Sequence, residues 1–179
     1  GSTSNISPSA LNAYLDCRLR FYFRYIAGLK LPKEVSTEID SPAFGTIFHK
    51  VAELIYNKLT ERGTLIRKED IETLLKDKTI IQQYVDIAFK EEFFHIKEED
   101  KVEYNGIQLI NAKVIATYMR QLLKSDLGYA PFHMVGMEKK VYENIFIDTP
   151  TGKIKTAIGG TIDRLDSKNG TLRIVDYKT

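Results

Sequence analysis

The chain has a single cysteine, Cys17, so no disulfide can close within it, and a lone thiol fits a reducing compartment, here the cytoplasm. It also lacks any apolar run near the roughly 20 residues that a membrane helix needs, and it shows no signal-peptide pattern. That sets aside a membrane-spanning helical protein. Repeats and low-complexity segments are absent. An excess of one charge is missing too: 26 Lys and Arg stand against 24 Asp and Glu, a net charge of +2. So small a balance does not by itself indicate a polyanion partner, and any nucleic-acid surface must be local. What is present is ordinary for a globular chain: 179 residues, 43% hydrophobic and 28% charged, enough to build one domain with a core. The chain opens with Gly-Ser and stops just after Asp176-Tyr177-Lys178, which reads as a fragment, or the ordered part, of a larger protein.

Helical periodicity dominates residues 1–130. Ser7-Pro8 is a helix start, with serine as N-cap and proline in the first turn. Leu11, Leu15, Leu19, Tyr22, Ile26 and Leu29 come next at spacings of three and four and predict one amphipathic helix to about Gly28. Tyr14, Cys17, Phe21 and Tyr25 form a second stripe, so this helix is expected to bury a wide face. Arg18, Arg20 and Arg24 take the remainder, either as a solvated face or as a track for phosphates. Residues 30–40 read as a loop. Ser41-Pro42 repeats the start signal, and Phe44, Ile47, Phe48, Val51, Leu54, Ile55 and Leu59 carry a second helix to near Gly63. Gly45, His49, Glu53 and Tyr56 share another of its faces. Three more helices are expected over 68–77, 79–95 and 107–125. His95 and the acidic Glu98-Glu99-Asp100 read as a solvated helix end or loop without chemistry.

Gly128 to Pro131 breaks the helices. From there Phe132–Ile147, Lys153–Leu165 and Thr171–Lys178 alternate as strands of an antiparallel meander, with Thr149-Pro150-Thr151-Gly152 as the first turn. Glu138 falls on the first strand, a candidate neighbour of the site, although charges on half-exposed strands are common. The fold class expected is α/β: a helical part of about five helices over 1–130, then a β-meander over 131–179, in one domain.

The last 21 residues hold the chemistry. Gly159-Gly160 permits a close backbone approach, and Asn169-Gly170 is a strong hairpin signal. Strand alternation points Asp176 and Lys178 the same way, and the hairpin folds Asp163 back beside them. Two carboxylates and one ammonium then converge. Carboxylates a few Å apart repel unless a proton or cation lies between them, and hard oxygens suit Mg²⁺. Lys178 could then hold or deprotonate an attacking water, or stabilise charge on a phosphate. A bare Asp-x-Lys is more often a solvated surface pair.

Taken together, Gly160-x-x-Asp163-Arg164 and Val175-Asp176-Tyr177-Lys178-Thr179 resemble the core of the PD-(D/E)XK nucleases, and within them the RecB/AddB-type domain. Gly45-Thr46-Ile47-Phe48-His49 matches the upstream Gly-x-x-x-His motif of that group. Ser7-Pro8-Ser9-Ala10-Leu11, Tyr14, Cys17 and Phe21-Tyr22-Phe23 match its opening helix. The resemblance implies a restriction-endonuclease-like sheet core, truncated after the Asp-x-Lys strand. It implies a nuclease dependent on Mg²⁺ or Mn²⁺ that hydrolyses phosphodiester bonds of DNA, with Asp163, Asp176 and Lys178 catalytic. His49, Asp163, Asp176 and the backbone carbonyl of Tyr177 would hold the metal. Relatives work beside helicase modules in recombination and repair, so an exonuclease with DNA and a helicase as partners, and no membrane, is expected. The competing reading is a non-catalytic DNA-binding or scaffold module of such an assembly, against which the intact Asp163, Asp176 and Lys178 speak. Cys17 sits where some relatives place the first ligand of an iron–sulfur cluster. The other three thiolates are missing from this chain, so no cluster is expected and Cys17 is expected to pack in the interior.

Overall fold

A computed structural model of the chain describes residues 5–30, 39–77, 79–97, 100–150 and 152–178. Among them are six α-helices and five β-strands in one mixed sheet, the α/β class expected. The chain divides into two compact units, one formed by Gly1–Val35 and Lys139–Ile162, the other by Ser36–Glu138 and Asp163–Thr179.

The second unit carries the core. Helix α3 (Ser41–Thr60) is capped by Asp40, whose Oδ1 accepts from the Ala43 amide at 2.8 Å, rather than by the expected Ser41. Both residue types cap well, and capping by Asp40 moves Pro42 one place further into the first turn. Helices α4 (Lys68–Lys76), α5 (Ile80–Phe89, then a π turn Lys90–Phe94) and α6 (Gly106–Tyr129) come after it. The capping box of Asn105 and Gln108 starts α6. It runs past its expected end and through Gly128, stopping only before Pro131. Ile47, Val51, Ile55, Ile81, Val85, Phe89, Ile115, Met119 and Leu123 are fully buried between these helices. Each such side chain contributes about 1.5–3 kcal/mol of burial free energy. The π turn ends at exposed His95, with left-handed φ 52°; Glu98 and Glu99 lie outside the described residues.

Two long strands, β3 (Phe132–Thr149) and β4 (Gly152–Lys168), pass through both units. In the second unit the two-residue β2 (Leu65–Ile66) pairs antiparallel with the start of β3, and β5 (Thr171–Val175) pairs antiparallel with the end of β4. Lys168 opposes Thr171, leaving Asn169 and Gly170 as a two-residue turn with φ 52° and 78°. That is the left-handed pair a tight right-twisting hairpin requires. Strand pairing stops at Val175 rather than continuing to Lys178. Opposite, Asp163 uses its carboxylate, Oδ2 accepting from the Tyr177 amide at 2.7 Å, so a side chain takes the place of the next ladder bond. Thr179 lies outside the described residues.

In the first unit, two-residue β1 (Asn5–Ile6) joins β4 in parallel, with Asn5 opposite Ala157. Gly159 is needed there: a Cβ would fall 2.0 Å from the Val141 carbonyl oxygen. At the β3–β4 turn the Thr149 hydroxyl donates to the Gly152 carbonyl at 2.6 Å, while Thr151 lies outside the described residues. The single long helix expected from Ser7 is corrected to three pieces. Helix α1 (Pro8–Asp16), capped by Ser7, ends at Cys17 in extended backbone (φ −154°, ψ 109°). Helix α2 (Arg18–Phe21) then leads into a π turn, Tyr22–Ile26. The extended residue and the π turn each rotate the succeeding residues about the helix axis, so the 3.6-residue register is lost. The expected buried face is accordingly absent: only Ala10 and Ala13 of α1 are buried, and Leu15, Leu19, Tyr22 and Ile26 are exposed. Cys17, expected in the interior, is exposed, because its extended backbone takes it off the helical stripe. Of the expected loop 30–40, residues 31–38 lie outside the described residues.

Candidate metal centre

Three elements of the second unit bring their side chains to one point. His49 comes from the middle of α3, Glu138 from β3 and Asp163 from β4. One ligand atom from each lies within 4.8 Å of the other two. The His49 ring is oriented by its Nε2, which is 3.2 Å from the Tyr177 carbonyl oxygen. A carbonyl can only accept, so this contact makes Nε2 the donor and turns Nδ1 towards the carboxylates. Nδ1 faces Glu138 Oε1 at 3.4 Å and Asp163 Oδ1 at 3.6 Å. The edge of the Tyr177 ring also packs against the imidazole, the centroids being 5.6 Å apart.

Two carboxylate oxygens drawn this close repel unless a proton or a cation stands among them. Glu138 sharpens the point. Its Oε1 is buried and has no hydrogen-bond partner among the described residues. Its backbone is left-handed, φ 47°, in the middle of a strand, a conformation that costs a non-glycine residue on the order of 1 kcal/mol or more and that gathers at functional sites. The donor set of two hard oxygens and one imidazole fits a divalent metal ion. An open cleft of about 510 Å³ leads to His49 and Glu138 past Gly45, Thr46, Lys50 and Glu92. Lys50 is tied to Glu91 at 3.0 Å and Glu53 at 3.3 Å, chiefly by the Glu91 hydrogen bond, which raises its pKa against the cost of burial. Glu53 therefore serves Lys50.

The remaining candidates from the sequence stand differently. The Tyr177 backbone lies at the heart of the site, its N–H given to Asp163 and its carbonyl accepting from His49. Asp176 and Lys178 form an exposed ion pair, Nζ to Oδ2 2.7 Å. Asp176 is outside the three-residue cluster, yet within electrostatic reach of it. Its pKa is lowered first by the Lys178 hydrogen bond, with Asp163 and His49 adding to the effect. Lys178 is raised by the same bond. Glu138, left as a mere neighbour by its sequence context, is the residue whose importance the alternation of a strand could not signal.

Directly behind Asp163 lies a second polar assembly, buried except for the partly exposed Arg173. Arg164 donates from Nη1 and Nη2 to the two oxygens of Asp126 on α6, at 2.6 and 3.0 Å, and from Nε to Asp166 at 3.0 Å. Arg173 of β5 donates to Asp166 from Nε at 2.9 Å and from Nη2 at 2.8 Å. The Tyr56 hydroxyl donates to Asp126, and its ring lies under the Arg164 guanidinium, 4.4 Å to the centroid. Burial works against charge on Arg164, but the Asp126 pairing outweighs it and raises its pKa. Burial pushes the Tyr56 hydroxyl well up.

A mixed α/β scaffold that gathers two carboxylates and an imidazole from two strands and a helix, open to a cleft, has the build of a metal-dependent hydrolase. The family emerges from comparison: the chain matches the PD-(D/E)XK nuclease superfamily over residues 5–179 and belongs to it. No curated protein matches the chain. Among the described residues no helix is long and apolar enough to cross a membrane.

Proposed function

We propose that this chain is a RecB/AddB-type nuclease domain: a deoxyribonuclease dependent on Mg²⁺ or Mn²⁺, acting as an exonuclease in recombination and repair in the cytoplasm, alongside a helicase module. The observation that carries this reading is the uncompensated cluster of His49 Nδ1, Glu138 Oε1 and Asp163 Oδ1, with the Glu138 oxygen buried and unpartnered. The RecB/AddB assignment is supported by Gly45-x-x-x-His49 and the Ser7 to Phe23 pattern, and by the His49 ring reaching the cluster.

In this reading His49, Glu138 and Asp163 hold the metal and Asp176 completes its surroundings, while the Tyr177 carbonyl, expected as a ligand, instead orients His49 from the Nε2 side of the ring, away from Nδ1. When bound, a divalent cation neutralises the non-bridging oxygens of a phosphodiester and acidifies a nearby water. The protein supplies the rest. Tyr177 fixes Asp163 through its N–H and His49 through its carbonyl, so both ligands are held before substrate arrives. Lys178 has two roles open to it, as base or as donor. Its pKa is raised by Asp176, so at neutral pH it is an ammonium, which donates and cannot take a proton. It therefore holds the attacking water or a phosphate oxygen. Asp176, kept ionised by the same pair, accepts from that water.

The test is cleavage and binding measured side by side on DNA in Mg²⁺ and Mn²⁺, with Lys178→Ala against wild type in the intact protein. Cleavage is expected to drop by at least ~10² with binding and folding intact, the scale of losing one preorganised charge. Wild-type cleavage by Lys178→Ala removes the role of the lysine. No cleavage by the wild type with either metal returns the chain to the scaffold reading.

A further inference from the structure

The two units differ sharply in charge. Gly1–Val35 and Lys139–Ile162 together hold nine Lys and Arg against four Asp and Glu, whereas the unit with the metal cluster holds 17 against 20. A net charge of +2 for the whole chain thus hides one distinctly basic unit.

Within that unit the broken helix presents aromatic rings and guanidinium groups in alternation. The Tyr14 ring meets Phe21 edge to face, centroids 5.4 Å apart, and Phe21 stacks on Tyr25 at 5.4 Å and 27°. Arg18 lies over the Tyr14 ring at 5.6 Å, and Arg24 over Tyr25 at 5.8 Å. The result is a ladder of three rings with an arginine at each end. Arg20 is occupied by Asp16 at 2.5 Å, so the acid of this segment is neutralised locally. Tyr14 and Tyr25 are 42% and 37% exposed, so both stay accessible to a partner. Leu15, Leu19 and Ile26 are exposed as well, but offer neither a π face nor a charge.

Rings and cations in alternation match one kind of partner. Single-stranded nucleic acid exposes base faces that stack on aromatic side chains, and phosphates that pair with arginine. A duplex keeps its bases stacked inside and would meet the arginines alone. We propose that Tyr14, Phe21 and Tyr25, with Arg18 and Arg24, form a docking platform for a nucleic-acid single strand. The platform rests on the nuclease reading for its purpose, yet its chemistry is independent of the metal site.

The experiment is fluorescence anisotropy with a labelled oligothymidylate of about 16 nucleotides, in EDTA so that nothing is cleaved, on the intact protein. Tyr14→Leu with Tyr25→Leu removes the π faces and keeps apolar bulk; affinity is expected to fall at least about tenfold. Tyr14→Phe with Tyr25→Phe should retain it. Arg18→Gln with Arg24→Gln, both exposed, should reduce the slope of log affinity against log salt by about 1.4, or ~0.7 for each phosphate contact on a single strand. If the leucine pair fails to fold by circular dichroism, the glutamine pair carries the test. Affinity within twofold of wild type in the leucine pair, with an unchanged salt slope in the glutamine pair, overturns the proposal. So does an equal loss on a duplex of the same length, or a wild type that binds no oligothymidylate. Cleavage is scored separately in Mg²⁺ and Mn²⁺, so a wild type that binds through these residues but cuts nothing removes the nuclease reading and leaves the platform.

Discussion

Asp163 and Arg164 are consecutive residues of one strand, and strand geometry sends them to opposite faces. On one face Arg164 finds Asp126, Asp166 and the Tyr56 ring, and with Arg173 it completes a buried set of two cations and two anions in which the charges cancel. On the other, Asp163 meets Glu138, and two carboxylates share a single imidazole, His49, with no lysine or arginine among them. Both assemblies are polar and held by several elements. The difference is in the balance. Opposite charges that satisfy one another inside a protein hold strands and helices together; like charges gathered at the mouth of a cleft store a demand for a cation. Charge balance, more than burial or the number of polar groups, separates the structural assembly from the candidate site.

The comparison breaks hardest at Arg164. Arg164→Ala leaves Asp126 and Asp166 buried with only half-exposed Arg173 to face them. Removing one partner of such a set costs about 3–5 kcal/mol. Urea unfolding should show a loss of that size, and a loss below about 1 kcal/mol would mean that water compensates the aspartates.

Glu138→Gln acts on the unbalanced side and should have the reverse sign. The mutation removes one of the repelling charges, so protein in EDTA should melt no lower than wild type. Affinity for Mn²⁺ by calorimetry should meanwhile fall at least about tenfold, the lower end of what disturbing a metal's surroundings costs. A lower melting temperature in EDTA with unchanged Mn²⁺ affinity would place Glu138 among the structural residues instead.

How much of the fold and the site is legible in the sequence depends on the range of the interactions. The Asn169-Gly170 turn is legible because a two-residue hairpin leaves few residue types to choose from. The helices of the second unit are legible from period alone, since their apolar stripes face one core. The strands β1 and β2 are two residues long and carry no alternation to read. The break at Cys17 and the left-handed bend at Glu138 leave no mark in the apolar period, and the pairing of Arg164 with Asp126 spans 38 residues. The motifs name His49, Asp163, Asp176, Tyr177 and Lys178. Period cannot say that Asp176 turns to Lys178, nor that Glu138 stands nearer to His49.

Tyr177 belongs to both sides of the comparison, and the smallest expected effect comes from it. Its backbone serves the cluster, while its side chain is 9% exposed and enters the core, edge-on to Phe48 at 5.7 Å. The hydroxyl lies close to Arg164 yet makes no hydrogen bond of normal geometry. Removing a buried, unpaired hydroxyl forfeits no bond, so Tyr177→Phe should change stability at neutral pH by less than about 1 kcal/mol, and in the favourable direction if at all. The alkaline side distinguishes the two. Burial pushes the Tyr177 hydroxyl up to about 12. An ordinary tyrosine in the unfolded chain ionises near 10. Between those values the unfolded chain has released a proton that the folded one retains, so this contribution is full below pH ~10 and is lost as pH rises towards ~12. Tyr177→Phe removes that one linkage, on the order of 3 kcal/mol for a shift of this size. Its stability should therefore fall less steeply than that of wild type across the window, while metal affinity, which depends on the backbone of residue 177, stays the same. Parallel pH profiles for the two proteins would mean that Tyr177 titrates like an exposed phenol and that its side chain is not sealed in the core.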